Sequence, residues 1–536
     1  MIVVRLAVLA LFAAVAGLVV ASGSDRPELR FAMRSDPKTF DALLAADQAS
    51  EMVTFLTTDR LLYRNRRTQK IEPALAESWK VQQQGRRVVL DLRKGVQFSD
   101  GSPFTAADVA FTIRRLADPK LNSPKSSVFR TADAAATVEV LSPHRVAITF
   151  PAIVPGIENE LAGIPVQSEK NREKAVLGPY VVTQYQAGSL IVLSRNPYYW
   201  RMEDGRRLPK IDTLRISIQQ NADMEAERFR RGEYHLLESV DPTMYERLQK
   251  DLPGQAHDAG PSNDIEFLWF NQAPQAPVAP YKLAWFQSRN FRRAVSMAIR
   301  RDDIVRLVYQ GRATIAAGLT PPANKVWYKN GLKPHAFDLD LAKKLLRQDG
   351  FVLRDDNLLY DRQGKLVEFS LITNSNNKAR ARIASLIQQD LSKLGIRVNI
   401  GTFDFPSLVE RIGRTLNYEA CLLGFVNLAQ DPMSGMNMLL SSGPQHMWNP
   451  SQKQPATAWE KEIDKAMREQ ASTTDSRKRK AAYDRVQQIL SDEAPVLFLA
   501  HRNTLYAASP KLQNVLATND YPRLVWNSEH LTWSDR

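Results

Sequence analysis

The chain has 536 residues, 44% of them apolar and 24% charged, so it can bury several cores, and no low-complexity tract marks it as disordered. Its one cysteine, Cys421, excludes a disulfide framework and leaves a lone thiol in the apolar run EACLLGF. The formal charge of +14 raises nucleic acid as a partner. However, the basic residues are dispersed, and the densest run, Arg477–Lys480, begins an amphipathic helix, so we expect a solvated surface and no nucleic-acid binding.

Residues 1–21 read MIVVRLAVLALFAAVAGLVVA: one charge at Arg5, an apolar run from Leu6 to Val20, then small residues. This pattern predicts a secretory signal over residues 1–23, with an uncleaved anchor as the alternative. No Cys follows the run, so lipid attachment there is excluded. Leu29, Phe31 and Met33 alternate as a first strand, and Val88–Arg93 and Val146–Phe150 are further strands. Between them, Ser99-Asp100-Gly101 predicts a turn, and Thr105 with Asp108 predicts the capped start of a helix whose buried stripe is Val109, Ile113 and Leu116. Tyr180–Tyr185 and Ser189–Ser194 flank a turn as a hairpin; Ile211–Ile218 is a strand and Asp223–Arg231 a helix. Glu266–Asn271 is an apolar strand followed by the Pro-rich link QAPQAPVAPY, where one lobe hands over to the next. Phe291–Gln310 reads as one helix, and Asp338 or Asp340 caps another that Gly350 ends. The segment 367–401 is strand, helix and strand, a βαβ crossover that requires parallel strands. Tyr418–Phe425 and Pro495–Ala500 are strands, with two helices between Thr457 and Leu490. The class is mixed α/β.

The seven histidines are never three to five residues apart, so no zinc site is supported, and neither a phosphate-binding Gly-rich loop nor G-x-S-x-G occurs. Ser375-Asn376-Asn377-Lys378 fits S-x-x-K without its companion motifs, a match that chance supplies. No cofactor and no catalytic residue is expected; an exported hydrolase stays as an alternative resting on that weak match.

The segment AESWKVQQQGRRVVLDLRKGVQFSDGSPFTAADVAFT, residues 76–112, resembles the signature of family 5 extracellular solute-binding proteins of ABC transporters. The dipeptide, oligopeptide and nickel-type binders belong to this family. LGPYVVTQYQAGSLIVLSRNPYYW (177–200), LWFNQ (268–272), FRRAVSMAIRRDDIV (291–305) and LSKLGIRVNI follow in order. The resemblance implies a bilobed periplasmic-binding-protein-like α/β fold: a first lobe of residues 24–55, 166–265 and 495–536, an extra subdomain of residues 56–165, and a second lobe of residues 266–494. It implies a monomer that closes on a small, peptide-like solute and presents it to ABC permease subunits, with oligosaccharide or another non-peptide solute as the alternative. Contacts are expected from Trp269 and Asn271 at the crossover, from Thr373, Asn374, Ser375, Asn376 and Asn377 after a strand, and from Phe425, Asn427, Leu428 and Asp431. Trp269 could equally pack in the core. Peptide binders of the family carry an Asp for the ligand's ammonium where this loop, GFVNLAQDP, places Leu428. Asp431, which precedes Pro432, suits a helix cap. The polar segment Ser441–Glu460 could form a rim over the cleft or an ordinary surface loop.

Overall fold

A computed structural model describes residues 28–131, 133–172, 174–426 and 431–534. The expected signal segment, Asn427 and Leu428 lie outside the described residues. Among the described residues no helix is long and apolar enough to cross a membrane.

The chain opens with β1 (Leu29–Met33) and α1 (Gln48–Thr57), whose start Asp47 caps by accepting from the Ser50 N–H at 3.0 Å. A subdomain follows: β2 (Ala76–Gln82), β3 (Arg87–Leu92), α2 (Ala106–Ala117), β4 (Thr137–Ser142), β5 (Arg145–Thr149) and α3 (Ile157–Gly163). Its sheet is antiparallel in the order β2-β3-β5-β4. The turn and cap expected ahead of α2 are present: Asp100 accepts from the Ser102 N–H, and Thr105 and Asp108 form a reciprocal capping box. The chain then returns through β6 (Tyr180–Gln186), β7 (Leu190–Arg195) and β8 (Thr213–Ile218), giving the sheet β1-β8-β7-β6, in which β1 and β8 are parallel.

The long strand β9 (Ala256–Phe270) carries the chain out of this lobe. Its start, Ala256, packs with Phe229, Leu505 and Ala507, whereas Ile265, Phe267 and Trp269 enter a separate core. α4 (Arg289–Ala298) and α5 (Leu339–Gln348), capped by Asp338, lead to β10 (Glu368–Asn374), α6 (Lys378–Ser392) and β11 (Arg397–Phe403). β10 runs parallel to β11 along its whole length, as a βαβ crossover must, and α6 buries Ile383, Ile387 and Leu391. After β12 (Ala420–Phe425) come α7 (Ala458–Ala471) and α8 (Ser476–Glu493), and β13 (Val496–Ala508) crosses back beside β9. The sheet order is Leu236–Leu237, β13, β9, β12, β10, β11, with Ala313–Ile315 also on β13.

The helix expected over Phe291–Gln310 is broken. Ile299 is extended (φ −82°, ψ 118°), and short turns over Arg301–Asp303 and Ile304–Val308 follow. Side chains have taken over the ladder there: the Arg300 N–H donates to Asp390 Oδ2 at 2.9 Å, and the Ser296 carbonyl accepts from buried Arg301 at 2.8 Å. The β9–β13 ladder is likewise interrupted between Asp258 and Pro261 and between Pro261 and Ile265, where the two strands pass from one lobe to the other.

Candidate functional site

A cavity of about 760 Å³ lies between the subdomain and the second lobe, with Asp520 and Tyr521 on one side. Its size suits a small organic solute. A second chamber of about 260 Å³ adjoins it and shares Glu51, Arg64, Asp520 and Tyr521.

On the second-lobe wall the Arg479 guanidinium clasps Asp431 with both nitrogens, at 2.6 and 3.1 Å, and lies 4.8 Å from the centre of the Trp327 ring. Arg479 also donates to the Gln470 carbonyl and side-chain oxygens, so a nearly buried charge is fully matched. Asp431 caps the turn Pro432–Gly435 by accepting from the Met433 N–H at 3.0 Å. Opposite them stands α3. Burial, with the Asp431 charge nearby, pushes the Glu160 carboxyl up to about 7 against the lowering effect of Arg479.

The two walls touch at the rim. Gly156 holds φ +68°, and an added Cβ there would lie 3.2 Å from Arg479 and 3.5 Å from Asp431. At Gly85 (φ +93°) a Cβ would lie 2.7 Å from the Thr474 methyl, and Gln69 donates to the Ala323 carbonyl at 3.1 Å. Both glycines combine a left-handed backbone with a close approach from the opposite lobe.

Of the described residues among those expected at the site, only Asp431 lines the large cavity. Trp269 is 1% exposed, inside the second-lobe core, with its indole N–H on the Tyr418 hydroxyl at 3.0 Å; core packing is the reading that holds. Asn271 is buried and donates to the Leu416 and Tyr418 carbonyls at 2.8 and 2.9 Å. Thr373 is fully buried. Asn374 accepts from Arg380 at 2.9 Å and donates to Asn376, while Asn377 caps α6. Ser375 and Asn376 are exposed, and the Ser375 N–H pairs with the Phe403 carbonyl. Phe425 is half-buried and packs 5.0 Å from Phe267. The Ser441–Glu460 segment is no rim at its aromatic residues. His446 and Trp448 are buried, and both meet Glu460 Oε1, at 3.3 and 2.9 Å. Although burial pushes Glu460 up, hydrogen bonds from His446, Gln452, Trp448 and Thr457 hold it at about 2.

Behind the Asn374 loop a buried charge network fixes the crossing strands. Glu266 on β9 takes Arg380 of α6 at 2.7 Å, and Asp264 takes Arg502 of β13 at 3.0 Å and Arg523 at 3.1 Å. Sequence reading missed the cavity residues Arg64, Glu160, Trp327 and Arg479. The basic run LYRNRRTQK, residues 62–70, was the available signal for the first of them.

The family model of bacterial extracellular solute-binding proteins, family 5, matches residues 70–447. The chain belongs to that family. This solute-binding protein is 26% identical to the dipeptide-binding protein of Pseudomonas aeruginosa, with 92% of the chain and 94% of the relative covered. It is 24% identical to the oligopeptide-binding protein AppA of Bacillus subtilis, covering 89% and 87%. Its fold matches NikA from Brucella suis, solved with Fe(III)-EDTA, at a TM-score of 0.80 and 21% identity, over 95% of this chain and all of that one. It also matches AppA from Bacillus subtilis, solved with a nonapeptide, at a TM-score of 0.70 and 22% identity, over 95% and 99%. These matches bear out the expected family and the bilobed architecture of the solute-binding protein.

Proposed function

We propose that the chain is the exported solute-capturing subunit of an ABC importer, that it takes a peptide-like solute between its lobes, and that it presents the closed form to permease subunits. The carrying observation is the pairing of a cleft with two strands, β9 and β13, that link its sides at an interrupted ladder. Such a joint concentrates bending in few residues, here Asp258, Gly260 and Pro261, and lets solute binding shift the open–closed population. Peptide as the solute class is supported by the names of the relatives from Pseudomonas aeruginosa and Bacillus subtilis. Both walls come from one chain, so a monomer suffices. The role is binding without turnover. Asn427, Leu428 and Asp431 remain the proposed ligand-proximal loop, while Trp269, Asn271 and Thr373 support it from the core.

The experiment is gentle purification and native mass spectrometry to identify the carried solute, then solution scattering with and without it. The radius of gyration should fall on saturation. An unchanged radius would rule out capture by hinge closure.

A further inference from the structure

The smaller chamber is built from side chains in which positive charge outnumbers negative. Arg60, Arg64, Arg66 and Lys125 line it against only two carboxylates, Glu51 and Asp520. Asp520 is spoken for by Arg64, at 3.7 Å. Arg66 spends its guanidinium on the carbonyls of Asp520, Tyr521 and Pro522, partners that satisfy hydrogen bonds and leave the charge standing. Lys125 donates to the Ala45 carbonyl at 3.0 Å, again a neutral acceptor. Arg60 makes no side-chain hydrogen bond or ion pair among the described residues; its guanidinium lies 4.7 Å from the centre of the Phe55 ring, and that of Arg66 lies 4.5 Å from the same ring. Phe55 sits one turn beyond Glu51 on α1, so helix periodicity sets ring and carboxylate on the same chamber wall.

Cations gathered in a half-buried cavity repel each other and lose hydration, and an anion brought among them relieves both penalties. The direction agrees: burial lowers Arg60, Arg66 (to about 10) and Lys125 from their ordinary values. A guanidinium stays charged at such values; for Arg60 the lowering comes from lost hydration, which the nearby Asp59 and Glu51 carboxylates offset only in part. The chamber opens beside the cleft through shared Glu51, Arg64, Asp520 and Tyr521, so a group entering it can belong to a molecule lying in the cleft.

We propose that this chamber receives an oxyanionic group of the captured solute, a carboxylate or a phosphate ester, with Arg60 as the residue that reads it. The proposal deepens the solute-capture reading and rests on it only in placing the rest of the solute in the cleft.

The test is calorimetric titration with compounds in matched pairs that differ only in the charged group: tetra-alanine against its C-terminal amide, succinate against succinamide, glycerol 3-phosphate against glycerol. In the wild-type protein at least one acidic member should bind tenfold or more tighter than its neutral twin. Arg60→Gln should abolish that preference while Arg60→Lys retains most of it, a contrast that separates charge from packing. A carboxylate preference without a phosphate preference, or the reverse, identifies the group. Binding of the non-peptide acids with neither form of tetra-alanine bound upholds the chamber and removes the peptide reading. Equal binding of tetra-alanine and its amide, with the other pairs silent, upholds the peptide reading and overturns the chamber. Failure of every acidic member to bind overturns it as well. Should Arg60→Gln not fold, Lys125→Gln, which gives up one bond to the Ala45 carbonyl, should halve the preference or more, and an unchanged preference in Lys125→Gln overturns the charge-based reading.

Discussion

The two walls of the cleft are built on opposite terms. On the second lobe the key charges have partners in hand: Arg479 holds Asp431, and Glu266, deeper in, holds Arg380. On the side of α1 and the subdomain, Arg60 lies against a ring, Arg66 faces carbonyls, and Glu160 is half-buried beside a like charge. A wall whose charges are matched can be rigid without a solute. A wall whose charges are not matched is completed by one. The subdomain side is therefore where recognition is expected, and the second-lobe side supplies the surface that closes.

The comparison breaks most readily at the matched wall. Glu266→Ala leaves the Arg380 guanidinium buried with no carboxylate at 2.7 Å, and should cost about 3–5 kcal/mol in urea unfolding. A loss below about 1 kcal/mol would mean that the second lobe is held by something other than its ion pairs.

Acid and base should part the two walls next. Glu460 ionises at about 2 in the fold and at 4.5 ordinarily, so its contribution is present above pH 4.5 and is lost as pH falls toward 2, at most about 3 kcal/mol. Glu160 has the opposite sign. Its folded value of about 7 means that the native state keeps the proton longer, so its contribution is present below pH 4.5 and is lost as pH rises through 7, again at most about 3 kcal/mol. Thermal melts between pH 4.5 and 8 should flatten in Glu160→Gln, and a slope identical to that of the wild type would place Glu160 in ordinary solvent.

Asp431→Ala removes a cap and orphans Arg479, which should lower stability by about 1–3 kcal/mol. Solute affinity should change less than about tenfold, 1.4 kcal/mol, because the carboxylate is already neutralised. A larger loss by calorimetry would transfer the ligand's charge pairing to Asp431. The smallest effect belongs to Ser375→Ala. The exposed hydroxyl makes no hydrogen bond among the described residues, so stability should stay within about 0.5 kcal/mol, and an active-serine probe should label neither protein.

Local regularity made much of the fold readable. The βαβ unit announces itself because α6 repeats its apolar residues at helical spacing between two β-rich runs, and the cap of α2 is written in Thr105 and Asp108. The helix after Phe291 misled because its apolar period continues through Ile299, while the break is set by Asp390 and Arg301, one of them ninety residues away. Trp269 misled differently. β9 is central, flanked by β13 and β12 with cores on both faces, so a large aromatic residue there has no open side. The cavity residues carry no periodic signal. Arg66 matters because the chain returns 454 residues later to lay Asp520 against it, and no window of sequence contains both.

That late return also orders how the molecule is made. The core around β1, Tyr180 and Leu214 is filled by Leu524, Val525 and Leu531, which lie far along the chain from β1. Most of the second lobe's sheet, from β9 to β13, is contiguous and can assemble from its own sequence. The first lobe cannot close its interior until the segment holding Leu524 to Leu531 arrives, because loop closure over such a span has to precede the contacts that reward it. A chain that folds as it is made thus leaves the core of β1 open until that distant segment is present.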